Sequence, residues 1–184
     1  MIHHLARARF AAVLLLITGM AACTGGSPHG QGSDHHAVQV MQENGTPTCV
    51  PPSPAATKAG VVATNQTRAR AGLPPVRANP TLARAAAQHA CDMAARGRMT
   101  HLGSRTTGPA QRVKAEGYAP AITAENIAAG PYDLARVLSE WNASSGHVAN
   151  MLIPQVSEYG IGHAIASDGK TRFWAAIYAA PRGR

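Results

Sequence analysis

The sequence predicts one α+β domain, in which helices come first and a small antiparallel sheet comes last. Two observations carry this. Residues 55–154 hold helix start and stop signals with apolar residues at helical spacing, and the C-terminal stretch switches to strand-like runs around an Asp-Gly turn. Residues 55–184 are the length of one ordinary domain.

The elements follow in chain order. Ala55 to Ala71 reads as a helix; Gly72 offers a left-handed cap, and Pro74-Pro75 block continuation. Asn79-Pro80 is a helix start, with a capping side chain before a proline that has no N–H to lose. That helix runs Leu82 to Arg96 and stops at Gly97; its many alanines, Ala83 to Ala95, suit close backbone packing. Asp133 caps a further helix in which Leu134, Val137, Leu138 and Trp141 share one apolar face, with Trp141 as core. A shorter helix begins near Ser144 or Ser145 and ends at Pro154. Tyr159 to Ala166 and Arg172 to Ala179 are two strands around Ser167-Asp168-Gly169-Lys170.

The amino terminus reads as an export signal over residues 1–22. Arg7 and Arg9 precede an apolar core, Phe10 to Met20, and small residues follow. Eleven apolar residues are too few for a spanning helix, which needs about 20. Met20-Ala21-Ala22-Cys23 resembles a bacterial lipobox, which makes Cys23 the expected lipidation site and the membrane an expected partner; the alternative is ordinary cleavage and secretion. Residues 23–54, rich in Gly, Ser, Pro, His and Gln, read as a flexible tether that buries too little to offset its chain entropy. His29, His35 and His36 within it read as solvated rather than as a metal site, for want of further ligands at fixed spacing.

The whole chain carries a formal net charge of +8. Loss of the signal removes two arginines and no acid, leaving +6. That suits an anionic membrane surface or wall polymer, and equally an arginine-rich coding bias, since Lys58, Lys114 and Lys170 are the only lysines. No basic run and no aromatic platform points to nucleic acid. With Cys23 lipidated, Cys49 and Cys91 remain as an even pair in an oxidising compartment, so a disulfide stapling the pre-domain segment to a helix is expected over two free thiols.

Three clusters hold the candidate chemistry: Met99-Thr100-His101, Ala124-Glu125-Asn126-Ile127, and Trp141 to Leu152 with His147 inside it. Two imidazoles and a carboxylate bind zinc, orient a water or hydrogen-bond one another; spacing alone does not choose. His89 reads as a packed or surface histidine, and His163, alternating with Ile161 and Ile165, as a further contributor to the same cleft.

The order of these clusters resembles the CAP superfamily (cysteine-rich secretory, antigen 5 and pathogenesis-related proteins, with the SCP-like domain) in its compact bacterial branch. The likeness covers about residues 59–180, through Asn65-Gln66-Thr67-Arg68, Gly72 to Val76, Asn79 to Leu82, His101, Glu125-Asn126-Ile127, Trp141 to Leu152 and Gly160-Ile161-Gly162. It implies an α–β–α sandwich with a cleft lined by two histidines and two acids. His101, Glu125 and His147 match three of these; Ser144 stands where the second acid is usual, and Glu140 reads as pointing elsewhere. The loss of an acid lowers the expected affinity for zinc or another divalent metal at His101 and His147.

The expected function is a non-enzymatic module binding a lipid, a cell-wall fragment or a divalent metal. A hydrolase with Glu125 or His147 as general base is the alternative, weakened by the lack of a Gly-x-Ser-x-Gly elbow beside Ser144 and Ser145. A purely structural contact domain is the third reading. Ser144 or Ser145 reads as the N-cap of the helix carrying His147.

Overall fold

The computed structural model describes residues 34–41 and 45–183; the expected signal and Cys23 lie outside them. Among the described residues the elements are β1 (Val38–Gln39), β2 (Thr48–Cys49), α1 (Pro54–Arg70), β3 (Arg77–Ala78), α2 (Pro80–Ala95), β4 (Arg98–Met99), α3 (Pro109–Ala115), β5 (Pro120–Gly130), α4 (Leu134–Ala143), α5 (Ser145–Met151), β6 (Glu158–Ile165) and β7 (Arg172–Pro181). No helix among them is long and apolar enough to cross a membrane.

Local chemistry sets the helix ends. Asn79 accepts from the N–H groups of Thr81 and Leu82, and Asp133 accepts from that of Arg136, so each fills an otherwise unpaired donor of the first turn. Gly72 and Gly97 end α1 and α2 at φ +68° and +58°, where a Cβ is strained.

The main sheet runs β2-β6-β7-β5, with β3 parallel to β6 at its start and the other pairings antiparallel. Strand alternation gives the sheet two apolar faces. Ile127, Ala164, Phe173, Ala175 and Ile177 pack under α2 and α3, with Leu82, Ala86, Ala90, Met93 and Val113. Ala124, Ala128, Ile161, Trp174, Ala176 and Tyr178 pack under α1, α4 and α5, with Val137, Trp141 and Met151. Helices thus cover both faces, the expected α–β–α sandwich.

The contact between α2 and β6 is the tightest. A Cβ on Gly160 would lie 2.1 Å from the Ala83 nitrogen, and one on Gly162 would lie 2.3 Å from the Ala87 Cα. Glycine on the strand and alanine on the helix are therefore two halves of one packing solution.

The structure differs from the sequence reading in four places. β5 is a long strand, although Pro120 to Gly130 lacks an apolar alternation: its inward positions include Glu125 and Asn126, which polar partners satisfy. The seven-residue α3 is too short to show a period. The tether expected through residue 54 is not free in its described part: β1 pairs with β4, and β2 pairs with β6. Cys49 of β2 is disulfide-bonded to Cys91 of α2, as expected. His163, expected at the cleft, instead stacks on Trp174 at 4.4 Å between ring centres.

Candidate functional site

The edge strand β5 is where the two helical layers part, and a cleft of about 570 Å³ opens there. Two of its outward carbonyls are covered by side chains from α4 and α5, where a bare edge would invite another strand. Trp141 Nε1 donates to Ile127 O at 3.2 Å, and Asn150 Nδ2 donates to Glu125 O at 3.1 Å.

Glu125 points toward the α2–α3 layer and is buried. Its two oxygens take Arg112 Nη2 at 2.6 and 2.7 Å. Oε2 also accepts from His101 Nδ1 at 2.9 Å, and His89 Nε2 lies 3.7 Å from it. Burial pushes the carboxyl upward, but the hydrogen bond from His101 and the charge and hydrogen bonds of Arg112 outweigh it and hold it below the ordinary carboxylate range. Because a carboxylate only accepts, His101 Nδ1 is the donor, which leaves Nε2 for the cleft.

His89 stands behind this pair. Its Nε2 donates to Thr100 O at 2.9 Å, and burial depresses its pKa to about 4, so it is neutral. Arg112 continues the network by donating through Nη1 to His101 O and Thr106 Oγ1. Its role was not legible in the sequence, where it is one of fourteen arginines.

His147 lies across the cleft on α5, its ring tilted against Trp141 at 6.3 Å. Burial and the nearby His101 lower its pKa, against a hydrogen bond to the Ile127 backbone. Its Nδ1 is buried and has no partner among the described residues. Ser144 joins α4 to α5 at the N-cap position, yet its hydroxyl makes no capping bond. Glu140, expected to point elsewhere, is on the cleft lining and pairs with Arg136 at 2.6 Å.

All four expected cleft residues, His101, Glu125, Ser144 and His147, therefore line one cavity. Two contributors that the sequence reading placed in the tether join them. His36 lines the cleft with its ring edge-on to His101, 6.4 Å between centres. Asp34 accepts from Thr100 Oγ1 at 2.6 Å and from the His101 N–H at 2.5 Å. Burial raises its pKa, but these bonds and that of the His36 N–H hold it below the usual range.

The donor set does not fit a divalent metal as it stands. Glu125 is committed to a guanidinium, and the unpaired nitrogen of His147 is buried rather than turned to the cavity. Among the described residues no three His, Cys, Asp or Glu side chains form a metal-holding group. The expected metal pair, His101 and His147, is thus close in space without two lone pairs aimed at one point.

Known proteins place the domain. The chain is 29% identical over 134 residues to the uncharacterized protein YkwD of Bacillus subtilis, covering 72% of this chain and 52% of that one. It thus spans about half the length of that curated relative. An extracellular SCP-domain protein of Bacillus anthracis superposes with TM-score 0.59 at 24% identity, over 71% of this chain and 44% of that one. An outer surface protein of Borrelia burgdorferi superposes with TM-score 0.61 at 19% identity, over 70% and 95%. These two likenesses concern the fold. The family model described as the cysteine-rich secretory protein family (CAP) matches residues 61–178. With that match covering most of the chain, on the sandwich and cleft described above, the protein belongs to the CAP family.

Proposed function

We propose that this protein is an exported binding module, anchored at the outer face of the membrane by a lipid on Cys23, whose cleft takes a lipid or a cell-wall fragment. The observation that carries a binding rather than a catalytic role is the state of Glu125. A general base must reach its substrate and exchange a proton. This carboxylate is 1% exposed and ion-paired, with a pKa below its ordinary range. His147, the other candidate base, has its unpaired nitrogen buried. Both observations favour binding over hydrolysis.

What the cleft presents is an imidazole edge, His101 and His36, beside a floor of Ile127, Ala128, Ala129, Tyr132 and Trp141. Such a surface suits a ligand with a polar head and an apolar body. A lipid is the first reading and a wall fragment the second. The described extracellular and outer-surface relatives are consistent with export.

The test is native mass spectrometry of the purified protein mixed with envelope lipid extract and, separately, with muropeptides. Gly146→Phe is the control, because Gly146 lines the cleft and a Cβ there meets no atom within 4 Å. Capture by the wild type and not by this variant supports the reading. Turnover of wall material that disappears in Glu125→Gln would replace it with the hydrolase. Metabolic labelling with palmitate, lost in Cys23→Ser, tests the anchor.

A further inference from the structure

Residues 34–41 precede the helical domain, yet one of them, His36, lines its cleft. The two ends of this stretch are held differently. At the far end Met41 packs partly into the core under α2, and the N–H groups of Val40 and Met41 both donate to Gly97 O. Gly97 makes that approach possible: a Cβ there would lie 2.4 Å from Met41 O. Gln39 Nε2 adds bonds to the carbonyls of Arg96 and Gly97 at 3.3 and 3.2 Å.

At the near end little apolar surface is buried. Val38 is 50% exposed, and His36 is exposed. The β1–β4 ladder has only two residue pairs. What fastens this end is the carboxylate of Asp34, which takes the Thr100 hydroxyl, the His101 N–H and its own neighbour's His36 N–H. Hydrogen bonds to an ionised acceptor are about twice as strong as neutral ones. One side chain thus links the segment to the residue whose imidazole defines the cleft.

We propose that residues 34–41 are a latchable wall of the cleft, with Asp34 as the latch, Met41 as the hinge side and His36 as a ligand-contacting residue. The proposal rests on reading the cleft as a binding site for a ligand with an acyl or similarly apolar body. With the latch closed, His36 stands edge-on to His101 and narrows the entrance; with it open, the imidazole face of His101 is uncovered and one ligand contact is gone. Because the segment leads back toward Cys23, the cleft wall and the expected membrane attachment are parts of one continuous stretch of chain.

Two measurements on the intact protein separate the claims. In diethyl pyrocarbonate footprinting, Asp34→Ala is expected to speed modification of His101 by about tenfold, the effect of one charge-assisted hydrogen bond on a local opening equilibrium. Buried His89 should keep its wild-type rate, reporting an intact domain. An unchanged His101 rate overturns the latch, and so does an equal rise at both histidines, which would make Asp34 a prop of the whole fold. In fluorescence titration with dansyl-undecanoic acid, His36→Ala is expected to weaken binding about tenfold. Wild-type affinity in that variant overturns the contact role. A wild type that ignores the probe overturns the acyl-ligand reading, while the footprint still decides the latch.

Discussion

Arg112 Nη2 is shared by both oxygens of Glu125, at 2.6 and 2.7 Å, and both side chains are buried. The pair turns an acid that faces a cavity into a fixed support for His101. Its energetic asymmetry is large, since removal of one buried partner leaves the other charged, dry and alone.

Arg112→Met should therefore destabilise the domain by about 3–5 kcal/mol in urea unfolding. The pH dependence has a definite sign. Glu125 has a folded pKa below its unfolded value near 4.5, so its contribution is present above that pH and is lost as pH falls below it. Arg112→Met should flatten this acid limb, because the cation that lowers the pKa is gone.

His89 gives a second limb at higher pH. It is buried neutral with a pKa of about 4, against an ordinary value of 6.5. The unfolded chain binds this proton first, so stability should decline as pH falls from 6.5 toward 4, by on the order of 3 kcal/mol. His89→Gln keeps an amide donor for Thr100 O and should remove most of that slope in unfolding curves taken at each pH.

Arg68 is fully buried and its guanidinium is spent on carbonyls. It donates to Pro74, Met151, Ile153 and Val156 at 2.7–3.1 Å, with Pro154 at 3.5 Å. It thereby satisfies the C-terminal end of α5 and the turn that follows. Arg68→Met should cost about 3 kcal/mol or more in thermal unfolding, and Arg68→Lys should recover little, because one ammonium cannot reach so wide a set.

The α2–β6 seam predicts a contrast between two glycines. Gly162→Ala forces a methyl into the Ala87 backbone and should cost about 1–3 kcal/mol or shift the helix. Gly72→Ala meets no neighbour within 4 Å and suffers only its positive φ, for a loss of about 1 kcal/mol. Urea midpoints of the two variants measure the difference between crowding and backbone strain.

Much of this fold was legible because its signals are local. Asn79-Pro80, Asp133, Gly72, Gly97 and the Asp168-Gly169 turn each announce an element within four residues. β5 was not legible, because Glu125 and Asn126 interrupt its apolar residues and the partners that make them tolerable lie elsewhere in the chain. At the site, His101, Glu125 and His147 stood out as residue types in a familiar order. Arg112, Asp34 and His36 did not, since an arginine on a short helix and two polar residues in a Gly/Ser-rich stretch look solvated until the tertiary fold brings them to Glu125 and His101. The disulfide was legible from the oxidising compartment expected for an exported chain, once Cys23 is set aside, and it also anchors the stretch that composition assigned to a tether.

The position of β7 has a kinetic consequence. This strand, residues 172–181, lies between β6 and β5 and pairs with both, so an interior strand of the sheet follows all the other described elements in chain order. Until it arrives, β5 has no hydrogen-bonding neighbour among the described strands of the main sheet. Its pairing with β5 closes a loop of roughly fifty residues, the kind of non-local step that slows folding. The domain is thus built to wait for its last strand, and its main sheet cannot close until β7 is in place.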